Sequence, residues 1–366
     1  MKHKTVNLLT IFASILLFAC EKEAQQARVQ HGQIETTLQE AAPFPVGTAT
    51  SSYQIRNDSV YREVLIREFS SVTAENEMKM AWLQPEEGKY TWENADFIVD
   101  WALENGKQVH GHTLIWHQAT PDWVEKYDGD SAKLEQIMKD HITNVVNHFK
   151  GRVKSWDVIN ETIENNTGEW RKTIWYNNLG EDYLARAHQY AREADPEVKL
   201  FFNEYSLETD TAKLEGAFRV IDDFILRGVP LDGVGYQFHT QIGKPPLQRF
   251  IELAEMVTER GLLLHISELD ISVNGTASTG TGITTFEEDL AEAQRVRYRN
   301  LAQIYQVVPA SQRYAITTWG FTDKYTWIRG YFKKIDWPLL FDENFNKKPA
   351  YHGYLEGLKS INIKMQ

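Results

Sequence analysis

The sequence predicts an α/β fold, a single (β/α)8 TIM barrel, and three observations predict it. Eight short runs of branched and aromatic residues alternate with amphipathic segments from residue 43 onward. No tandem repeat and no second regime of composition divides them. The runs also end in polar residues, and in a barrel of this kind the strand ends carry the chemistry.

The elements follow in order. Lys2, His3 and Lys4 form a basic start, and residues 6–18 are a mainly apolar run too short to span a bilayer comfortably. It closes in Leu17-Phe18-Ala19-Cys20, which resembles a bacterial lipoprotein cleavage box with a bulkier Phe18 than usual. Residues 1–20 are therefore expected to be a lipoprotein signal with Cys20 lipidated, or an ordinary secretion signal. Cys20 is the only cysteine, so no intramolecular disulfide can form. Residues 21–42, rich in Gln, Glu and Ala, read as a polar tether, and 43–366 as the barrel domain. The expected place is the cell envelope, on an outer-membrane or cell-surface lipid anchor; otherwise the protein is secreted.

Strands are expected at 45–48, 71–75, 108–115, 155–160, 200–205, 234–238, 263–269 and 314–319. Between them, Leu134, Ile137, Met138, Ile142, Val145, Val146 and Phe149 recur at helical spacing. Leu214, Phe218, Ile221 and Ile225 do the same before the stop signal Gly228-Val229-Pro230. His141 and His148 fall in the first of these helices as surface or packing residues.

The composition is that of a globular protein, 42% hydrophobic and 25% charged over 366 residues. A net charge of -12 argues against nucleic acid or an anionic membrane surface as partner. The 11 Trp and 16 Tyr suit either a surface that stacks sugar rings or an aromatic core.

The strand ends gather one set of polar groups. Strand two ends Glu75-Asn76-Glu77-Met78-Lys79, strand three runs from His110 through His112 and Trp116 to His117, and strand four ends Asn160-Glu161. Strand five ends Asn203-Glu204-Tyr205, strand six gives Gln237-Phe238-His239, strand seven Glu268-Leu269-Asp270, and strand eight Trp319 to Asp323. Glu161 and Glu268, 107 residues apart, are two carboxylates placed alike. Glycoside cleavage needs such a pair, one protonated as acid and one ionised as nucleophile or base. His110, His112 and His117 could ligate zinc, but no carboxylate or cysteine stands beside them in the sequence and no metal is expected.

Glu75-Asn76-Glu77-Met78-Lys79, Gly111 to His117, Trp156 to Glu161, Gln237-Phe238-His239, Glu268-Leu269-Asp270 and Trp319 to Asp323 together resemble glycoside hydrolase family 10, the retaining endo-1,4-β-xylanases. Pro338-Leu339-Leu340-Phe341-Asp342 and Lys348-Pro349-Ala350-Tyr351 continue the match, which runs from about 43 to 358. The resemblance implies that Glu161 is the acid/base and Glu268 the nucleophile. It implies that His239 bonds Glu268 while Asp270 orients the imidazole, and that Asn160 and Gln237 hold sugar and carboxylates. Glu75, Asn76, Lys79, His112 and Trp116 match positions that grip sugars on the non-reducing side, Trp319 and Trp327 match the aromatic walls, and Tyr205 closes a substrate-supporting corner. It implies xylan and xylo-oligosaccharides as partners; no cofactor is expected, and the protein is expected to be a monomer that touches membrane only through the Cys20 anchor. Two departures stand out: Glu204 where the family has Asp, and Ala119 where it usually has Gln, a residue that crowds the space a glucose hydroxymethyl group would fill. Another β-glycanase on the same barrel, or a glycan-binding lipoprotein without turnover, are the alternatives.

Overall fold

A computed structural model describes residues 36–275 and 281–359. The signal segment, Cys20, most of the expected tether and residues 276–280 lie outside the described residues. The chain divides into a unit of residues 1–37 and a unit beginning at Leu38, and the second is the barrel.

Strands β1 (Val46–Thr50), β2 (Ser71–Ala74), β3 (Gln108–Trp116), β4 (Ser155–Asn160), β5 (Lys199–Glu204) and β6 (Gly233–Tyr236) pair in parallel, each with the next. β7 (His239–Gln241) is a short addition, and β8 (Leu263–Ser272) and β9 (Arg313–Thr318) complete the set. β8 pairs with β6 and β9, and β9 pairs with β1, so eight strands close into a barrel. β7 lies parallel on the outer end of β8, with His239 opposite Asp270. It continues β6 after Gln237 and Phe238, where Phe238 takes φ 61° and breaks the ladder. The sequence expects one strand over 234–238; the break turns His239 into a second register facing β8.

β1, β2, β4 and β6 are buried throughout, as strands walled by helices must be. Ser131–His148 starts on Asp130, whose carboxylate accepts from the Lys133 amide, and buries Leu134, Ile137, Met138, Ile142, Val145 and Val146 as spaced in the sequence. Thr211–Arg227 is capped by Asp210 and ends on Gly228 in the left-handed region. Its buried face is Ala217, Phe218, Val220, Ile221 and Phe224, whereas Ile225 is exposed.

One boundary moves. Leu38–Ala41 forms a helical turn, Leu38 is fully buried, and its amide donates to Glu68 Oε2 at 3.1 Å. The barrel unit therefore begins at Leu38, not at Pro43: a single apolar anchor among polar neighbours is invisible to composition. Gly111 is fixed by packing, because a Cβ there would lie 2.3 Å from the Trp156 ring.

Candidate active site

The C-terminal strand ends surround a cavity of about 610 Å³ lined by Glu75, Asn76, Lys79, His112, Trp116, Asn160, Glu161, Tyr205, Gln237, His239, Glu268, Trp319 and Trp327. Trp82, Gln118, Ala119, Ser206, Tyr331 and Phe332 complete its wall. Asp270, expected beside the nucleophile, is set behind this lining.

Glu161 ends β4 in the left-handed region, φ 57°. Its amide donates to Asn203 O at 3.0 Å, and its carbonyl accepts from Arg171 Nε at 2.8 Å. Arg171 also reaches the Ile163 carbonyl, the Tyr205 hydroxyl and the Glu164 carboxylate, so one guanidinium clasps the turn that carries Glu161. Glu268 sits within β8, and its amide donates to Gln237 O.

The two carboxylates share one amide relay. Gln237 Nε2 donates to Glu161 Oε1 at 3.1 Å and to Asn160 Oδ1 at 3.2 Å. Asn203 Nδ2 donates to Glu268 Oε1 and to the same Asn160 oxygen, both at 2.9 Å. Ser267 Oγ donates to Asn203 Oδ1 at 2.7 Å, which fixes the amide's orientation. Asn203 and Ser267 are absent from the sequence reading of the site; Asn203 was visible only as a polar end of strand five, and Ser267 carries no signal.

His239 bridges two acids, with Nε2 3.2 Å from Glu268 Oε2 and Nδ1 2.7 Å from Asp270 Oδ2. Burial opposes the imidazolium, but Asp270 and Glu268 hold it, raising the His239 pKa to about 10. Burial pushes Glu268 up; the hydrogen bond from His239 and the charges of His112 and His239 outweigh it and leave the carboxyl below its usual range. Trp327 Nε1 also donates to Asp270 Oδ2, at 2.9 Å, so this wall residue braces the same relay.

On the opposite side, Lys79 Nζ donates to Asn76 Oδ1 at 3.1 Å and lies 4.7 Å from the Trp116 ring centre. Burial pulls Lys79 below its ordinary range, against the pull of Glu268, Glu75, Glu161 and Glu77. Burial pushes Glu75 up, Lys79 opposing. Glu77 turns away to accept from the Ser52 amide. Glu204 is also no cleft residue: fully buried, it pairs with Lys213 at 2.9 Å and accepts from the Ile163 amide, buttressing the turn after Glu161.

The histidine run is corrected in one respect. A carboxylate does stand beside it: Asp157, opposite His112 on β4, lies 2.8 Å from His112 Nδ1 and 3.0 Å from His110 Nε2. Sequence proximity could not show this, since the acid comes from the neighbouring strand. His110 Nδ1 meets Ser155 Oγ at 2.6 Å, and His112 packs edge-on to Trp319. Asp157 thus serves as a hydrogen-bond acceptor, and among the described residues no group of three or more His, Cys, Asp and Glu is placed to hold a metal ion. His141 is fully buried against Gln84, and His148 stacks on Trp92.

Comparison with known proteins gives the same site a context. A family model described as glycosyl hydrolase family 10 matches residues 34–356. "Endo-beta-1,4-xylanase Xyn10C" of Cellvibrio japonicus is 37% identical over 95% of this chain, which spans only 61% of that relative's length. "Endo-1,4-beta-xylanase B" of Thermotoga neapolitana is 38% identical over 81% of this chain and 82% of its own. Among solved structures, native xylanase10C from Cellvibrio japonicus superposes with a TM-score of 0.86 at 36% identity, covering 90% of this chain and 74% of that one. Native xylanase 10B from Thermotoga maritima gives 0.82 at 35% identity, covering 88% and 98%.

Proposed function

Because this chain belongs to glycosyl hydrolase family 10, we propose that it is a retaining endo-β-1,4-xylanase in which Glu161 is the acid/base and Glu268 the nucleophile. The observation that carries the assignment is the asymmetry of the two carboxylates. Glu268 faces a protonated His239 that favours its ionised form, whereas the Glu161 carboxylate, among the described residues, accepts from the neutral amides of Gln237 and Asn160. In the first step Glu161 gives its proton to the leaving glycosidic oxygen while a Glu268 oxygen bonds the anomeric carbon and the C–O bond breaks. In the second, Glu161 takes a proton from water, the hydroxide bonds the anomeric carbon from the vacated side, and Glu268 leaves. NMR of the first product formed from xylan should show the β-anomer; an α-anomer first would overturn the double displacement.

The acid limb of activity should report His239. Since His239 favours ionised Glu268, His239→Asn should let Glu268 protonate at higher pH. The low-pH limb of kcat/KM is then expected to move upward; a limb that stays put while kcat falls would assign His239 to packing alone.

Ala119 favours a broader substrate range. It is buried and lines the cavity, while the neighbouring Gln118 is exposed. A small side chain leaves space for a hydroxymethyl group, so the enzyme is expected to accept aryl β-cellobioside beside its preferred xylobioside. Ala119→Gln should shift the xyloside-to-glucoside ratio of kcat/KM by roughly 10- to 200-fold, the usual worth of a small group in a pocket. An unchanged ratio would mean that Gln118 already fills the gap.

The N-terminal sequence supports a second part of the proposal, attachment to the cell envelope through lipid on Cys20. Among the described residues no helix is long and apolar enough to cross a membrane. Cys20→Ala should move the protein from the membrane fraction to the soluble one; continued partition with membranes would exclude the lipid.

A further inference from the structure

We infer that Trp82 forms an additional sugar-binding subsite, for a third xylosyl unit on the non-reducing side of the cleft. The inference rests on the xylanase reading and extends it. The turn Met80–Leu83 follows Lys79 directly and buries Met80 and Leu83. Trp82 points the other way and is 49% exposed. Its amide donates to the Lys79 carbonyl at 3.0 Å, so the two residues are one helical turn apart and share a face. The family resemblance puts Lys79 among the groups that grip sugars on the non-reducing side; Trp82 follows it by one turn on that face and lines the same cavity.

The position is built as a platform. The Trp82 carbonyl accepts from the Thr91 hydroxyl, and the Thr91 amide returns to the Leu83 carbonyl at 2.8 Å. Trp123 Nε1 then holds the Gln84 carbonyl at 3.0 Å. The backbone is fixed on both sides while the indole stays half open to water. Large aromatic side chains left open in this way lose the gain of burial unless something covers them. Xylose in a β-1,4 chain presents a flat face of axial C–H groups, which covers an indole without demanding hydrogen bonds.

The test compares dinitrophenol release from aryl β-xylobioside, which fills two sites before the scissile bond, with release from aryl β-xylotrioside, which fills three. Trp82→Ala should lower the trioside-to-bioside ratio of kcat/KM by roughly 5- to 30-fold, the range for truncating one well-placed aromatic anchor. Trp82→Tyr, which keeps a flat ring, should keep most of the ratio. A ratio unchanged in Trp82→Ala, or lost equally in Trp82→Tyr, would overturn the subsite. No turnover of either substrate by the parent protein would instead overturn the xylanase reading.

Discussion

Replacing Glu161 by alanine should lower turnover of xylan by about 10²–10⁴-fold, the usual worth of a positioned general acid. The effect should depend on the leaving group. A dinitrophenolate leaves without a proton, so the first step on dinitrophenyl β-xylobioside should survive while the second, which needs a base, slows. The expected sign is a burst of dinitrophenol followed by accumulation of the adduct on Glu268. Azide needs no base and should release it as the β-xylobiosyl azide. The separation follows from the leaving group; in the structure the side-chain amides of Gln237 and Asn160 hold Glu161, while the Glu268 carboxylate keeps its own contacts with Asn203 and His239 when the Glu161 side chain is removed. Equal losses on xylan and on the activated substrate, with no azide effect, would move the acid/base role elsewhere.

Glu268→Gln should be more severe, a fall of on the order of 10⁴-fold or more on every substrate whatever its leaving group, as when a nucleophile itself is removed. Gln keeps the size of the side chain and a partner for Asn203, so loss of packing does not explain the loss of rate. It also faces His239 with a neutral group, leaving Asp270 as the imidazole's remaining carboxylate. A 2-fluoro aryl xyloside should label the parent enzyme on a peptide containing Glu268 and leave the variant unlabelled. Label on another carboxylate would reassign the nucleophile.

The strands and their polar ends were legible because a walled parallel strand is an apolar run and its last residues must face solvent or substrate. Glu161 stands at such a switch, and so do Asn160, Gln237 and His239, whereas Glu268 lies within β8, which runs on buried to Ser272. What stayed hidden depends on register between strands. Asp157 meets His112 across β3 and β4, and Asn203 meets both Asn160 and Glu268 across a barrel interior. Trp327 reads as an aromatic wall, yet its indole N–H serves Asp270. The turn at Leu38 shows the same limit at the domain edge, where one buried side chain outweighs several polar neighbours. Side-chain direction across an interior is set by closure of the whole sheet, and no local window contains it.

The left-handed backbone at Glu161 sets heat resistance against catalysis at one residue. A non-glycine residue in this region costs about 1–2 kcal/mol relative to ordinary conformations, and Arg171 and the Asn203 carbonyl hold it there. Glycine would relieve that cost and remove the acid in the same change. A population of this protein screened for melting temperature alone would therefore favour loss of the side chain that makes it useful. Thermostabilisation of this barrel has to be sought away from the β4 turn.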